Sequence, residues 1–114
     1  MTAKAQPHGF ERRYRLRHKA EIRRTLSEGR KRGFPELACY VLANDRGFAR
    51  LGLAVSRKVG NAVLRNRVKR RLREAFRQSP WRDQGKDLMV VAKPASAQGS
   101  YQTLSMRVDA VLRP

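Results

Sequence analysis

Arg65, Lys69 and Arg73 stand four residues apart, and Arg67 and Arg71 repeat that interval. On a helix, side chains so spaced line up along one side. Cations in a row are suited to pairing with phosphates, and arginine's planar fork offers two parallel donors to each. Between Gly60 and Arg77 the only acid is Glu74. Such a helix cannot neutralise itself through pairs four apart, and like charges at that interval destabilise it. A polyanion removes the cost by direct pairing and by releasing counterions.

No other set of side chains spells a reaction. The carboxylates are Glu11, Glu21, Glu28, Glu36, Asp45, Glu74, Asp83, Asp87 and Asp109. None forms the close pair that a two-metal nuclease requires. His8 and His18 have no partner at ligand spacing and read as surface histidines. Cys39 lies mid-strand, where a small buried hydrophobe is expected rather than a nucleophile. Trp81 can be a packing anchor or a base-stacking platform, and Tyr40 divides the same way. No catalytic residue and no metal ligand is assigned, so the chain does not spell an enzyme that works alone.

The whole composition agrees. In 114 residues, 27 Lys and Arg stand against 9 Asp and Glu, a formal charge of +18, with 40% hydrophobic residues. That length and apolar content suit one domain with a modest core. The charge points first to nucleic acid and second to an anionic membrane surface. A membrane-surface helix wants a broad apolar face with bulky anchors, whereas the seam Leu64, Val68, Leu72, Ala75 is narrow and needed by the fold, with Phe76 at its margin. No apolar run approaches the roughly 20 residues of a spanning helix, and no secretory signal follows the basic start. A single cysteine cannot form an internal disulfide, which fits a cytoplasmic protein.

These cations must be held by a frame. Residues 1–14 are expected to be a loose segment, and 15–114 a single RNA-binding domain. A helix is expected from His18 to Glu28, with Ile22 and Leu26 four apart and Gly29 ending it. Glu36 to Ala43 alternates as a strand, Leu37, Cys39 and Val41 on one face, Ala38, Tyr40 and Leu42 on the other. Asn44 to Phe48 is a turn. RLGLAVSR is a second strand, with Leu51, Leu53 and Val55 opposite Gly52, Ala54 and Ser56. Those small residues leave room for a ligand or a neighbouring backbone. Asn61 is placed to cap the basic helix, and Pro80 and Gly85 break the chain after it. DLMVVAKP reads as a buried strand, ASAQG as loop, and Tyr101, Leu104, Val108 and Val111 as a last helix. The order implies an α+β fold, a sheet with helices packed on it. No zinc-finger spacing, heptad zipper or helix-turn-helix is present. A shallow sheet face with Tyr40 beside a basic helix suits single-stranded RNA.

The stretch LGLAVSRKVGNAVLRNRVKRRLREAF closely resembles the signature of the bacterial ribonuclease P protein subunit, centred on Arg65-Asn66-Arg67 after Gly60-Asn61-Ala62-Val63. RLRHKAEIRRTLSEG looks like that family's first helix, FPELACYVL its first long strand, and DLMVVAKPAS its last strand and turn. The resemblance covers Arg15 to Ser96 in detail and the final helix in pattern. It implies a single-domain α/β sandwich: an approximately four-stranded mixed sheet with three helices, ordered α-β-β-β-α-β-α. Its β-α-β crossover would be left-handed, against the usual rule. A short strand is then expected near Arg30 to Phe34.

The resemblance also implies a function: protein subunit of ribonuclease P, assisting endonucleolytic removal of the 5′ leader of precursor tRNA. It would be an enzyme only as part of that holoenzyme, with the catalytic groups mainly in the RNA. No cofactor is expected in the protein, and magnesium is expected with the RNA subunit. The implied partners are the catalytic RNA subunit and precursor tRNA, with no membrane, and the protein as a monomer in the holoenzyme. By position, Arg57, Lys58, Asn61, Arg65, Asn66, Arg67 and Arg70 would bind the RNA subunit. Ile22, Leu26, Ala38, Tyr40, Lys69 and Arg73 would bind the leader. The family often carries aromatics where this chain has Ile22 and Leu26, so apolar contact rather than stacking is expected there. The alternative is a non-enzymatic RNA-binding protein of ribosomal or RNA-chaperone type. A DNA-compacting protein would want a dimer interface or an intercalating wedge.

Overall fold

The structure is a computed structural model that describes residues 12–114. Residues 1–11, with His8 and most of the expected loose segment, lie outside it. Arg12–Tyr14, the rest of that segment, forms one 3-10 turn. It is ordered because Tyr14 packs against the core and meets Phe48 edge to face, ring centroids 5.4 Å apart.

Seven elements follow: α1 (Lys19–Glu28), β1 (Arg30–Gly33), β2 (Leu37–Ala43), β3 (Arg50–Ala54), α2 (Ala62–Gln78), β4 (Lys86–Ala92) and α3 (Tyr101–Leu112). They give the expected α-β-β-β-α-β-α order, and the short strand lies where the resemblance placed it. The four strands form one mixed sheet in the order β1-β2-β4-β3. β2 runs antiparallel to β1 and β4, while β3 and β4 are parallel neighbours joined through α2.

Alternation along the strands sorts the two faces. Leu37, Cys39, Leu51, Leu88 and Val90 form a core with Val68, Leu72 and Phe76 of α2 and Leu104, Val108 and Leu112 of α3. Phe76, expected at the margin of the apolar seam, is fully buried. The seam is wider than one sheet contact requires because α3 packs along α2 as well. Burial pushes the Cys39 thiol up to about 12. It therefore stays protonated and unreactive, since the thiolate is the nucleophile. Trp81 is half-buried against this core and is a packing anchor. The segment expected as loop, ASAQG, lies within a 3-10 helix over Pro94–Gln98, with Pro94 in its first turn and Ser96 fully buried.

α1 packs on β2 and β4 from the opposite face. Its fastening is electrostatic. Arg50 of β3 donates from Nε to Asp87 Oδ1 at 2.9 Å and from Nη2 to Asp87 Oδ2 at 2.8 Å. Its Nη1 reaches Glu21 Oε1 of α1 at 3.1 Å. Asn44 Nδ2 also donates to Asp87 Oδ1, at 2.8 Å. Arg50 and Asp87 are each only 6% exposed. Two buried charges are tolerated because each is paired and hydrogen-bonded.

Removing one member of a buried pair leaves its partner uncompensated, at a cost of about 3–5 kcal/mol. Asp87→Ala is expected to lose stability on that scale in urea unfolding. The double variant Arg50→Met/Asp87→Leu should recover most of it.

Candidate RNA interface

α2 is positioned from its first residue. Asn61 caps it, its side-chain oxygen accepting from Leu64 N–H at 3.0 Å. Before the cap, Val59 N–H donates to Ser56 O and Gly60 N–H to Arg57 O, each at 3.1 Å. That tight turn leaves Arg57 and Lys58 exposed beside the helix N-terminus, where backbone N–H groups and the helix dipole add positive potential. Gly60 holds φ at +152°, and a Cβ there would fall 2.7 Å from Leu64 Cδ1, so glycine is required.

Along α2, Val68, Leu72, Ala75 and Phe76 are buried. Arg67, Arg70 and Arg73 are exposed, with Asn66, and Arg65, Lys69 and Arg71 are half-buried on the borders. Among the described residues, the only α2 cation in an ion pair is Arg77, 2.5 Å from Glu74. Arg71 is used by the fold, donating from Nη1 to Gly99 O at 2.7 Å. Arg65 Nε is buried with no hydrogen-bond partner in the chain.

Lys69 and Arg73 converge on a groove at the β3 edge. It encloses about 190 Å³ and is lined by Arg15, Leu16, Arg17, Leu51, Gly52, Leu53, Lys69 and Arg73. Among the described residues, four cations and no acid share this wall. The Arg73 guanidinium is held below the usual arginine range, first by burial and then by repulsion from Arg15. A larger hollow of about 420 Å³ lies beside Glu21, Asp45, Arg24, Arg46 and Arg50. Glu21 already pairs there with Arg50 at 3.1 Å and Arg46 at 3.6 Å. Charge, not volume, makes the smaller groove the better anion site.

The room left by Gly52 is taken by the chain itself. A Cβ at this position would meet Met89 Sδ at 2.7 Å and Leu16 O at 3.2 Å. Leu16 N–H bonds Leu51 O at 3.0 Å, so residues 15–16 cover the β3 edge. Of the two readings of those small residues, Gly52 answers to a neighbouring backbone. Arg15 and Arg17 were not assigned from the sequence; their alternation with Leu16, a buried strand-like residue, was the available signal.

The expected leader residues fall into two groups. Ala38 and Tyr40 lie on the sheet face that α1 covers, Ala38 at 7% exposure and Tyr40 half-buried beneath Lys31 Nζ, 5.7 Å from its ring centroid. Ile22 of α1 is half-buried and Leu26 is 37% exposed. Lys69 and Arg73 belong to the other layer and reach the sheet at β3, two strands from β2. Thus the structure does not bring Lys69 and Arg73 beside Tyr40. Among the described residues, no group of three His, Cys, Asp or Glu could hold a metal ion. No helix among them is long and apolar enough to cross a membrane.

Comparison with known proteins places this geometry in a family. The family model for ribonuclease P matches residues 10–114. The ribonuclease P protein component of Clostridium kluyveri is 36% identical over 103 residues, 88% of this chain and 92% of that one. That of Pseudarthrobacter chlorophenolicus is 43% identical over 103 residues, 88% of this chain and 75% of the relative. A Staphylococcus aureus RNase P protein mutant with defective mRNA degradation activity superposes with a TM-score of 0.77 at 31% identity, covering 89% of this chain and 86% of that one. The Thermotoga maritima RNase P protein, in complex with 1-(4-fluorophenyl)-2-thiourea, gives 0.75 at 26% identity, covering 87% and 97%.

Because the Asn61 side chain is engaged as a cap, its loss should be felt in stability. Asn61→Ala is expected to cost about 1 kcal/mol and Asn61→Ser much less. Thermal unfolding followed by circular dichroism separates them; equal melting temperatures for the two variants would contradict the cap.

Proposed function

The chain belongs to the ribonuclease P protein family, and from that premise we propose how its surfaces divide the work. It acts within the ribonuclease P holoenzyme, with the RNA subunit, in maturation of the tRNA 5′ end. Two regions supply what a protein subunit needs. Arg57, Lys58, Asn66, Arg67 and Arg70, exposed around the N-terminal half of α2, hold the RNA subunit, with half-buried Arg65 on the border of that surface. The Ala38/Tyr40 face and the groove of Arg15, Arg17, Lys69 and Arg73 hold the single-stranded leader of precursor tRNA. Tyr40 offers a stacking surface, Ile22 and Leu26 apolar walls, and the groove cations take phosphates.

The observation that carries this reading is the groove: among the described residues four cations and no acid line it, and the Arg73 guanidinium is held below the usual arginine range by burial first and by Arg15 second. A chain gains nothing by crowding like charges unless a polyanion separates them. The protein contributes binding rather than reacting groups, so magnesium belongs with the RNA. One copy suffices, since a single chain carries all the proposed surfaces. The single, buried Cys39 suits the reducing cytoplasm.

Reconstituted holoenzyme carrying Lys69→Ala/Arg73→Ala should lose precursor tRNA affinity while mature tRNA binding changes little. The slope of log affinity against log salt for the precursor should fall by roughly 1.4, about 0.7 for each phosphate contact removed. Equal losses for precursor and mature tRNA would sink the division.

A further inference from the structure

β1 lies outside both of these surfaces. It is an edge strand, RKRG, and all four residues are exposed. Its register sets Lys31 opposite Tyr40 and Arg30 opposite Val41. Lys31 therefore lies on the Tyr40 face and Arg30 on the other, so the two cations straddle the edge. Arg32 is engaged by the fold, donating to Ala110 O at 3.2 Å and lying 5.2 Å over the Phe34 ring. The neighbouring acid, Glu36, is taken by Arg107 at 2.9 Å. Among the described residues, no carboxylate pairs with Arg30 or Lys31.

We propose that β1 is a second rail for the single-stranded leader: Arg30 and Lys31 hold phosphates of the stretch that has passed the Tyr40 platform. The proposal rests on the reading of that platform as the leader site. Lys31 Nζ lies 5.7 Å from the Tyr40 ring centroid, within reach of a phosphate flanking a base stacked there. The β1 edge is three strand spacings, about 14 Å, from the β3 groove. A strand bound at both edges is thereby held across the sheet. Backbone N–H groups on the open side of β1 are further donors to phosphate oxygens. A second copy of the chain is a poor occupant, because edge-to-edge pairing would set RKR against RKR, and like charges across strands are destabilising.

The test uses reconstituted holoenzyme and precursor tRNAs with leaders of graded length, beside mature tRNA. Arg30→Gln/Lys31→Gln should weaken the longest-leader precursor about tenfold and leave the shortest-leader precursor and mature tRNA nearly unchanged. The charge-preserving Arg30→Lys/Lys31→Arg should bind like the parent; if it binds as weakly as the glutamine variant, charge is not the cause and the rail is overturned. Uniform loss on every RNA, or no loss on any, also overturns it. So does a wild-type dimer in sedimentation that the glutamine variant abolishes, which would assign the edge to a second copy. Tyr40→Ala reports on the platform separately. Precursor-specific loss there with none in the glutamine variant overturns the rail alone, whereas no precursor-specific loss in Tyr40→Ala overturns the platform and the rail together.

Discussion

The bidentate pair between Arg50 and Asp87 is the interaction on which the two faces of this molecule depend. It joins the parallel neighbours β3 and β4 at the first residue of one and the second of the other, and reaches Glu21 of α1 through the remaining guanidinium nitrogen. One side chain thus fastens α1, the only helix on that face among the described residues, to the sheet. The rest of α1's contact is slight: Thr25 is its single buried residue. A helix with so small an apolar footprint gains little from the hydrophobic effect, and the ion network supplies the missing specificity. The consequence is an incompletely covered sheet face, with Tyr40 and Val91 half-buried and accessible to a flexible strand.

The same economy governs the remaining acids. Nine carboxylates cannot neutralise 27 cations, so where they sit decides where positive potential survives. Glu21, Glu36 and Asp87 are placed at long-range ties between elements, to Arg50 and Arg107. Glu28 and Glu74 sit near the C-terminal ends of α1 and α2, against Arg24 and Arg77. Among the described residues, no acid lines the groove of Arg15, Arg17, Lys69 and Arg73. Self-repulsion is therefore concentrated on the surfaces proposed to meet RNA, where a polyanion would relieve it. This coupling makes affinity depend on salt and makes the free protein less comfortable than the bound one.

Much of the fold was legible because it is written locally. The period of α2, its Asn61 cap and the alternation of β2 all follow from near neighbours in sequence. What was not legible depends on residues far apart. Arg50 and Asp87 are 37 positions apart and look like ordinary strand ends until the register pairs them. Phe76 seemed marginal because a helical wheel knows one partner, while α2 has two. The 3-10 turn over Pro94–Gln98 was hidden by small polar residues that equally suit a loop. In the site, the α2 ridge was found from spacing alone. Its separation from Tyr40 was not, because the layer on which a helix packs is a property of topology. Arg15 and Arg17 entered only when the β3 edge acquired a cover.

The two edges of the sheet show how a strongly cationic chain solves a general problem differently at each end. An open edge strand invites pairing with another chain. At β3, the preceding segment blocks it: Leu16 bonds Leu51 and is itself buried at 3% exposure. At β1 no such cover exists among the described residues, and consecutive Arg30, Lys31 and Arg32 defend the edge by charge. A cover excludes every partner alike, but charge excludes only partners of its own sign. An edge defended by charge repels a second copy and attracts a phosphate backbone, so protection against self-association and the affinity proposed for RNA have the same origin in Arg30 and Lys31.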